Sequence, residues 1–87
     1  MVCEDTPDLG ANSNIEGYTW NNQNVYRTMI NITCPIGKAF DTLYVREIVN
    51  QCGKHDASSS EVTWKYNSNN PLPNCIGKIM NMSFFYK

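Results

Sequence analysis

Val25-Tyr26-Arg27-Thr28-Met29-Ile30-Asn31-Ile32-Thr33-Cys34 has the two-residue period of a β-strand. Successive side chains of an extended chain point to opposite faces, so Tyr26, Thr28, Ile30, Ile32 and Cys34 share one side. Arg27, Met29, Asn31 and Thr33 share the other. β-branched and aromatic residues suit this conformation, because they pack well on a pleated, half-buried surface. The stretch therefore predicts one strand with a core face closed by a cysteine and a face turned to water.

The same reading extends outward along the chain. Leu43 to Cys52 is a second candidate strand, with Ile48, Asn50 and Cys52 on one face; a helix started by Asp41 competes poorly there because three residues are β-branched. Val62, Trp64 and Tyr66 alternate with Thr63 and Lys65 as a third strand, and Ile79 to Tyr86 is a fourth. Gly10 to Asn14, Asn21 to Asn24, Asp56 to Ser60 and Asn67 to Pro73 read as connections rich in turn residues. The expected fold is all-β: a small, disulfide-rich, elongated and β-sandwich-like domain of short antiparallel strands and long loops.

Cysteine spacing excludes several chemistries. Cys3, Cys34, Cys52 and Cys75 are the four cysteines of this 87-residue chain. A cysteine zinc site takes its ligands in close pairs, about two to four residues apart, and a redox pair needs a similar spacing. No two cysteines here stand that close. An even count in a short chain points to disulfides and an oxidising compartment, although four cysteines allow three pairings. A core of this size supplies only about 3–5 kcal/mol of net stability, so covalent support is expected.

Charge gives little away: the formal net charge is −1. Glu4, Asp5, Asp8 and Glu16 open the chain, while Lys65, Lys78 and Lys87 close it with no acid after Glu61. Seven scattered basic residues do not form the stripe that nucleic acid requires. Met1-Val2-Cys3 runs straight into acidic residues without the basic start and apolar run of a signal peptide. The expectation is a domain excised from a longer secreted or cell-surface protein, with Met1 an expression start.

Several residues together resemble the complement control protein module, also called the sushi domain or short consensus repeat. Pro7 follows the first cysteine, Cys34-Pro35-Ile36-Gly37 matches the family's Cys-x-x-Gly, Trp64 lies between the third and fourth cysteines, and Pro73-Asn74-Cys75 matches the closing Pro-x-Cys. The resemblance covers Cys3 to Cys75 and makes residues 1–87 a single divergent module with 76–87 as a C-terminal extension. Lys38 stands where an aromatic is usual, Ile32 replaces another aromatic, and loops 53–61 and 67–72 look like insertions.

The resemblance implies the pairs Cys3–Cys52 and Cys34–Cys75, with Trp64 packed between the two bridges. It also implies a non-enzymatic module that presents loops and edge strands to a protein ligand, with no cofactor. The competing reading is a free-standing secreted effector, such as a small inhibitor or growth-factor-like ligand. Loop residues held on a rigid scaffold carry binding disproportionately, which makes Lys54, His55 and Asp56 in the 53–61 loop the candidate binding residues. Lys65, Lys78 and Lys87 offer a further surface for a glycosaminoglycan.

His55, Asp56 and Ser58 to Ser60 contain the residue types of a nucleophilic triad, but a polar run after a cysteine is what a surface loop looks like, and triads are defined by geometry. No catalytic residue and no metal site is assigned. Tyr18, Trp20 and Tyr26 are either an exposed aromatic surface or core, with core the expected fate of at least one. Asn31-Ile32-Thr33 and Asn81-Met82-Ser83 are sequons, and Asn31 faces water if Ile30 and Ile32 face the core. The apolar run Ile79 to Tyr86 is too short to cross a membrane; packing within the chain is its expected fate, since left exposed it invites aggregation.

Overall fold

A computed structural model describes residues 1–54, 56–58 and 60–77. These form an all-β, antiparallel domain without helix among the described residues, built from β1 (Gly17–Thr19), β2 (Met29–Thr33), β3 (Ala39–Phe40), β4 (Glu47–Lys54), β5 (Val62–Trp64) and β6 (Cys75–Ile76). Four strands make one sheet in the order β1-β2-β4-β5, and β3 pairs with β6 in a second. The strand expected over Ile79 to Tyr86 lies outside the described residues, as do His55, Ser59, Lys78, Asn81 and Lys87.

The alternation read from sequence sets the two sides of the main sheet. Ile30 and Ile32 of β2 and Ile48, Asn50 and Cys52 of β4 are buried, while Met29, Asn31, Glu47 and Val49 are exposed. Directly paired residues share a side, so the register Ile32↔Ile48 and Cys52↔Trp64 stacks apolar groups on the inner face. Phe40 of β3, Leu72 and both disulfides complete the core around Trp64, which is fully buried. Trp20 meets Trp64 edge to face at 6.1 Å between ring centres, and its indole N–H donates to the Gln23 carbonyl at 2.7 Å. Tyr18 stays exposed.

Three of the strand boundaries that differ from the sequence expectation have a clear local reason. The first strand begins at Met29 rather than Val25: Arg27 takes a φ of +78°, and the Thr28 N–H turns back to the Val25 carbonyl at 2.9 Å. The second begins at Glu47 rather than Leu43, because Thr42 and Tyr44 hold φ values of +69° and +56° in a turn closed by Tyr44 N–H to Phe40 C=O at 2.8 Å. The third stops at Trp64, since the Tyr66 N–H leaves the ladder for the Asn50 side chain.

Asn50 explains that exchange. It is fully buried, donates to the Asp8 and Tyr66 carbonyls at 3.1 and 2.9 Å, and accepts from the Tyr66 N–H at 2.9 Å. Asp8 extends the network by accepting from the backbone of Gly10 and Leu72, both at 2.8 Å. The amino-terminal segment, the end of β5 and the 67–72 loop are thereby tied through side chains, in addition to the Asp8 N–H to Tyr66 C=O bond at 2.9 Å. Leaving such groups unpaired costs about 1–3 kcal/mol each when buried. Asn50→Leu is expected to destabilise by about 2 kcal/mol in urea unfolding; an unchanged midpoint removes the network from the account.

The turn residues have equally specific causes. Gly37 sits at φ +88° in a turn closed by Lys38 N–H to Pro35 C=O at 3.1 Å, the left-handed third position that favours glycine. Gly10 also has φ +88°, and a Cβ there would lie 2.8 Å from Ile15 Cδ1. Gly10→Ala is expected to lower the melting temperature, combining backbone strain with a clash against a partly buried side chain; a rise would contradict this geometry.

Candidate functional site

The β4–β5 connection is where this chain assembles exposed chemistry on a fixed frame. β4 carries the ladder out to Lys54, and Cys52, two residues earlier, is buried and bonded to Cys3. The second bridge joins Cys34 to Cys75, and no cysteine is free. Asp56 folds the following turn on itself, its Oδ1 accepting from the N–H and hydroxyl of Ser58 at 3.0 and 2.8 Å. Asp56, Ala57, Ser58 and Ser60 are exposed.

Lys54 does not stand alone. Its Nζ lies 5.9 Å from the centre of the Tyr26 ring, and the Arg27 guanidinium carbon lies 5.3 Å from the same ring. Tyr26 is half-buried, its N–H donating to Met1 C=O at 2.9 Å, while the Arg27 N–H donates to Cys52 C=O at 2.6 Å. Two cations about 27 residues apart in sequence thus share one aromatic ring beside the Cys3–Cys52 bridge. Each such contact is worth only about 0.5–1 kcal/mol at an exposed site. Its value lies in orientation, because side chains already held in place lose less entropy when a partner arrives.

Lys65 adds a third cation on the neighbouring strand, 5.6 Å from the Tyr66 ring centre. A groove of about 520 Å³ runs past it, lined by Gln51, Gly53, Lys54, Thr63, Lys65 and Asn70 among others. Three carboxylates of the amino-terminal segment have named partners. Glu16 pairs with Arg46 at 3.1 Å, Asp8 holds backbone N–H groups, and Asp5 accepts from Thr63 and from the Trp64 N–H. Arg46 is ion-paired with Glu16, whereas Arg27, Lys54 and Lys65 are exposed beside their aromatic rings.

The 67–72 segment, read as an insertion, is stapled by its asparagines. Asn67 Oδ1 accepts from the N–H groups of Asn69 and Asn70, Asn67 Nδ2 donates to Trp64 C=O at 2.8 Å, and Asn70 Nδ2 donates to Lys65 C=O at 2.8 Å. It forms a wall of the groove. The nucleophile-like set is not brought together by any described geometry: His55 and Ser59 lie outside the described residues, and the Asp56–Ser58 contact closes a turn. No group of three potential metal ligands occurs among the described residues.

Sequence reasoning singled out Lys54 and, separately, Tyr26 as part of an aromatic surface or core, but it missed Arg27 and placed Tyr26 and Arg27 on opposite faces of one continuous strand. The left-handed backbone at Arg27 breaks that alternation, and no glycine marks it. Of the lysines offered to a glycosaminoglycan, Lys65 is exposed, whereas Lys78 and Lys87 lie outside the described residues. No helix among the described residues is long and apolar enough to cross a membrane. Compared with protein-family models, with curated proteins and with solved structures, the chain shows no match.

Proposed function

We propose that this is a non-enzymatic, extracellular protein-binding module, similar to a divergent sushi domain, that engages a partner's acidic patch through Arg27, Lys54 and the 53–61 loop. The observation that carries the reading is the pair of exposed cations held at the Tyr26 ring beside a disulfide-anchored strand. Two features support the sushi comparison: the bridges run first to third and second to fourth, and Trp64 is buried among them. The disulfides support a reading of secretion or display at a cell surface, because such bonds persist in oxidising compartments. The partner is a protein whose carboxylates replace the solvent around the two cations, which makes association depend on salt.

The test is a binding screen against an array of secreted and cell-surface ectodomains, run with the natural chain and with R27E/K54E. At least one saturable interaction is expected, weakened tenfold or more in the double variant and weakened by raised salt. Surface substitutions of this kind leave the melting temperature nearly unchanged. Equal binding by the folded variant would remove the cluster from the function. Binding that persists at high salt would contradict its electrostatic basis, and retention only on sulfated polysaccharide would favour a glycosaminoglycan.

A further inference from the structure

The opposite consequence of the strand alternation falls on β2. Asn31 opens the sequon Asn31-Ile32-Thr33 and lies at the middle of β2, paired with Thr19 on one side and Val49 on the other. It is exposed, while Ile30 and Ile32 on either side are fully buried. Thr33, two residues on, shares the outward face, and its hydroxyl donates to Glu47 Oε2 at 3.4 Å. The side-chain amide of Asn31 has no hydrogen-bond partner among the described residues, and its backbone lies in the ladder. The room around it is open: Asn31 and Thr33 border a shallow concavity of about 430 Å³ with Gly17, Tyr18 and Thr19. Gly17 is opposite Thr33, and a Cβ there would meet nothing within 4 Å.

The same face also has apolar groups without cover. Met29 is 60% exposed and Val49 39%. A central strand carrying a sequon amide beside such groups has a use for a bulky hydrophilic cover.

We propose that Asn31 is an N-glycosylation site whose glycan covers the outer face of the main sheet and leaves partner contact to the Arg27–Lys54 end. This rests on the reading of the chain as secreted. In the reaction, the Asn31 amide nitrogen attacks the anomeric carbon of a lipid-diphosphate-linked oligosaccharide. An N–C bond forms, the C–O bond to the diphosphate breaks, and the amide proton passes to a base of the transferase. The lipid diphosphate is the leaving group. Along β4, Val49 and Lys54 are five residues apart, which at about 3.4 Å per residue separates the glycan root from the basic cluster by about 17 Å.

The chain is expressed behind a signal peptide in mammalian cells, as itself, as Ser83→Ala to remove the second sequon, and as Asn31→Gln. Peptide N-glycosidase is expected to shift the Ser83→Ala chain to the mobility of the unglycosylated chain and to convert Asn31 to aspartate in its tryptic peptide. Met29 is expected to oxidise several-fold more slowly in the glycosylated chain than in Asn31→Gln. A secreted chain with both bridges formed and Asn31 unmodified overturns the inference and leaves the binding reading standing. Glycan at Asn31 with equal Met29 oxidation overturns the covering. A chain retained in the cell with free thiols overturns the secreted reading, and this inference with it.

Discussion

Trp64→Ala is expected to destabilise the domain by about 3–5 kcal/mol, the range for removing a large buried aromatic. Trp64 is the largest fully buried side chain and packs with Cys3, Cys52, Ile30, Phe40 and Leu72 in one cluster. Its loss would also leave Trp20 without the ring it meets edge to face. The cost matches or exceeds the net stability expected of so small a core, so the variant should be largely unfolded at physiological temperature. Trp64→Phe should cost much less. The indole N–H has no hydrogen-bond partner among the described residues, so phenylalanine forfeits volume but no hydrogen bond. Urea unfolding of the two variants checks this, and an alanine variant with the parental midpoint would place Trp64 outside the core.

Removing a bridge is the second large effect. Cys3–Cys52 spans 49 residues of sequence and Cys34–Cys75 spans 41. In the chain-entropy description each closure is worth roughly 4 kcal/mol. Paired alanine replacement of either should therefore abolish cooperative thermal unfolding near neutral pH. The structural consequences differ between the two. Cys75 lies in β6, so losing Cys34–Cys75 should release the small β3–β6 sheet, whereas losing Cys3–Cys52 should free the segment that ends at Tyr26 and Arg27. Partner binding should suffer more from the second loss. A double-alanine chain that unfolds cooperatively at the original temperature would contradict the bridges' role.

The inner face of the main sheet was legible in the sequence because its alternation is uninterrupted. Ile30 and Ile32 on one strand, Cys34 just beyond its end, and Ile48, Asn50 and Cys52 on the next strand are all buried, as the period of two requires. The ends of the strands were not legible. Leu43, Tyr44 and Val45 have strand-forming side chains yet are exposed in a turn, because Thr42 and Tyr44 adopt left-handed backbone that glycine would have signalled and they do not. β1, β3 and β6 are two or three residues long, too short for any periodicity to show.

The candidate site was half legible for a related reason. Lys54 stood out as a charged residue in a long loop, but its aromatic platform comes from the far side of the chain. Val2 bridges Val25, and Tyr26 is tied to Met1, so the amino terminus positions the ring on which Lys54 rests. Contacts set by bridges and hydrogen bonds between distant segments leave no local pattern. The connectivity of the cysteines was equally silent in spacing and entered the sequence reading only through the resemblance to the sushi domain.

Because the basic cluster depends on a strand anchored by Cys52 and on a frame closed by Cys75, the disulfide connectivity of the exported chain tests the account most directly. Protein collected from the medium of secreting cells, alkylated without reduction and digested, is predicted to give one linked peptide pair containing Cys3 and Cys52 and another containing Cys34 and Cys75, with no alkylated cysteine. A Cys3–Cys34 peptide, or free thiols in the exported chain, would contradict it.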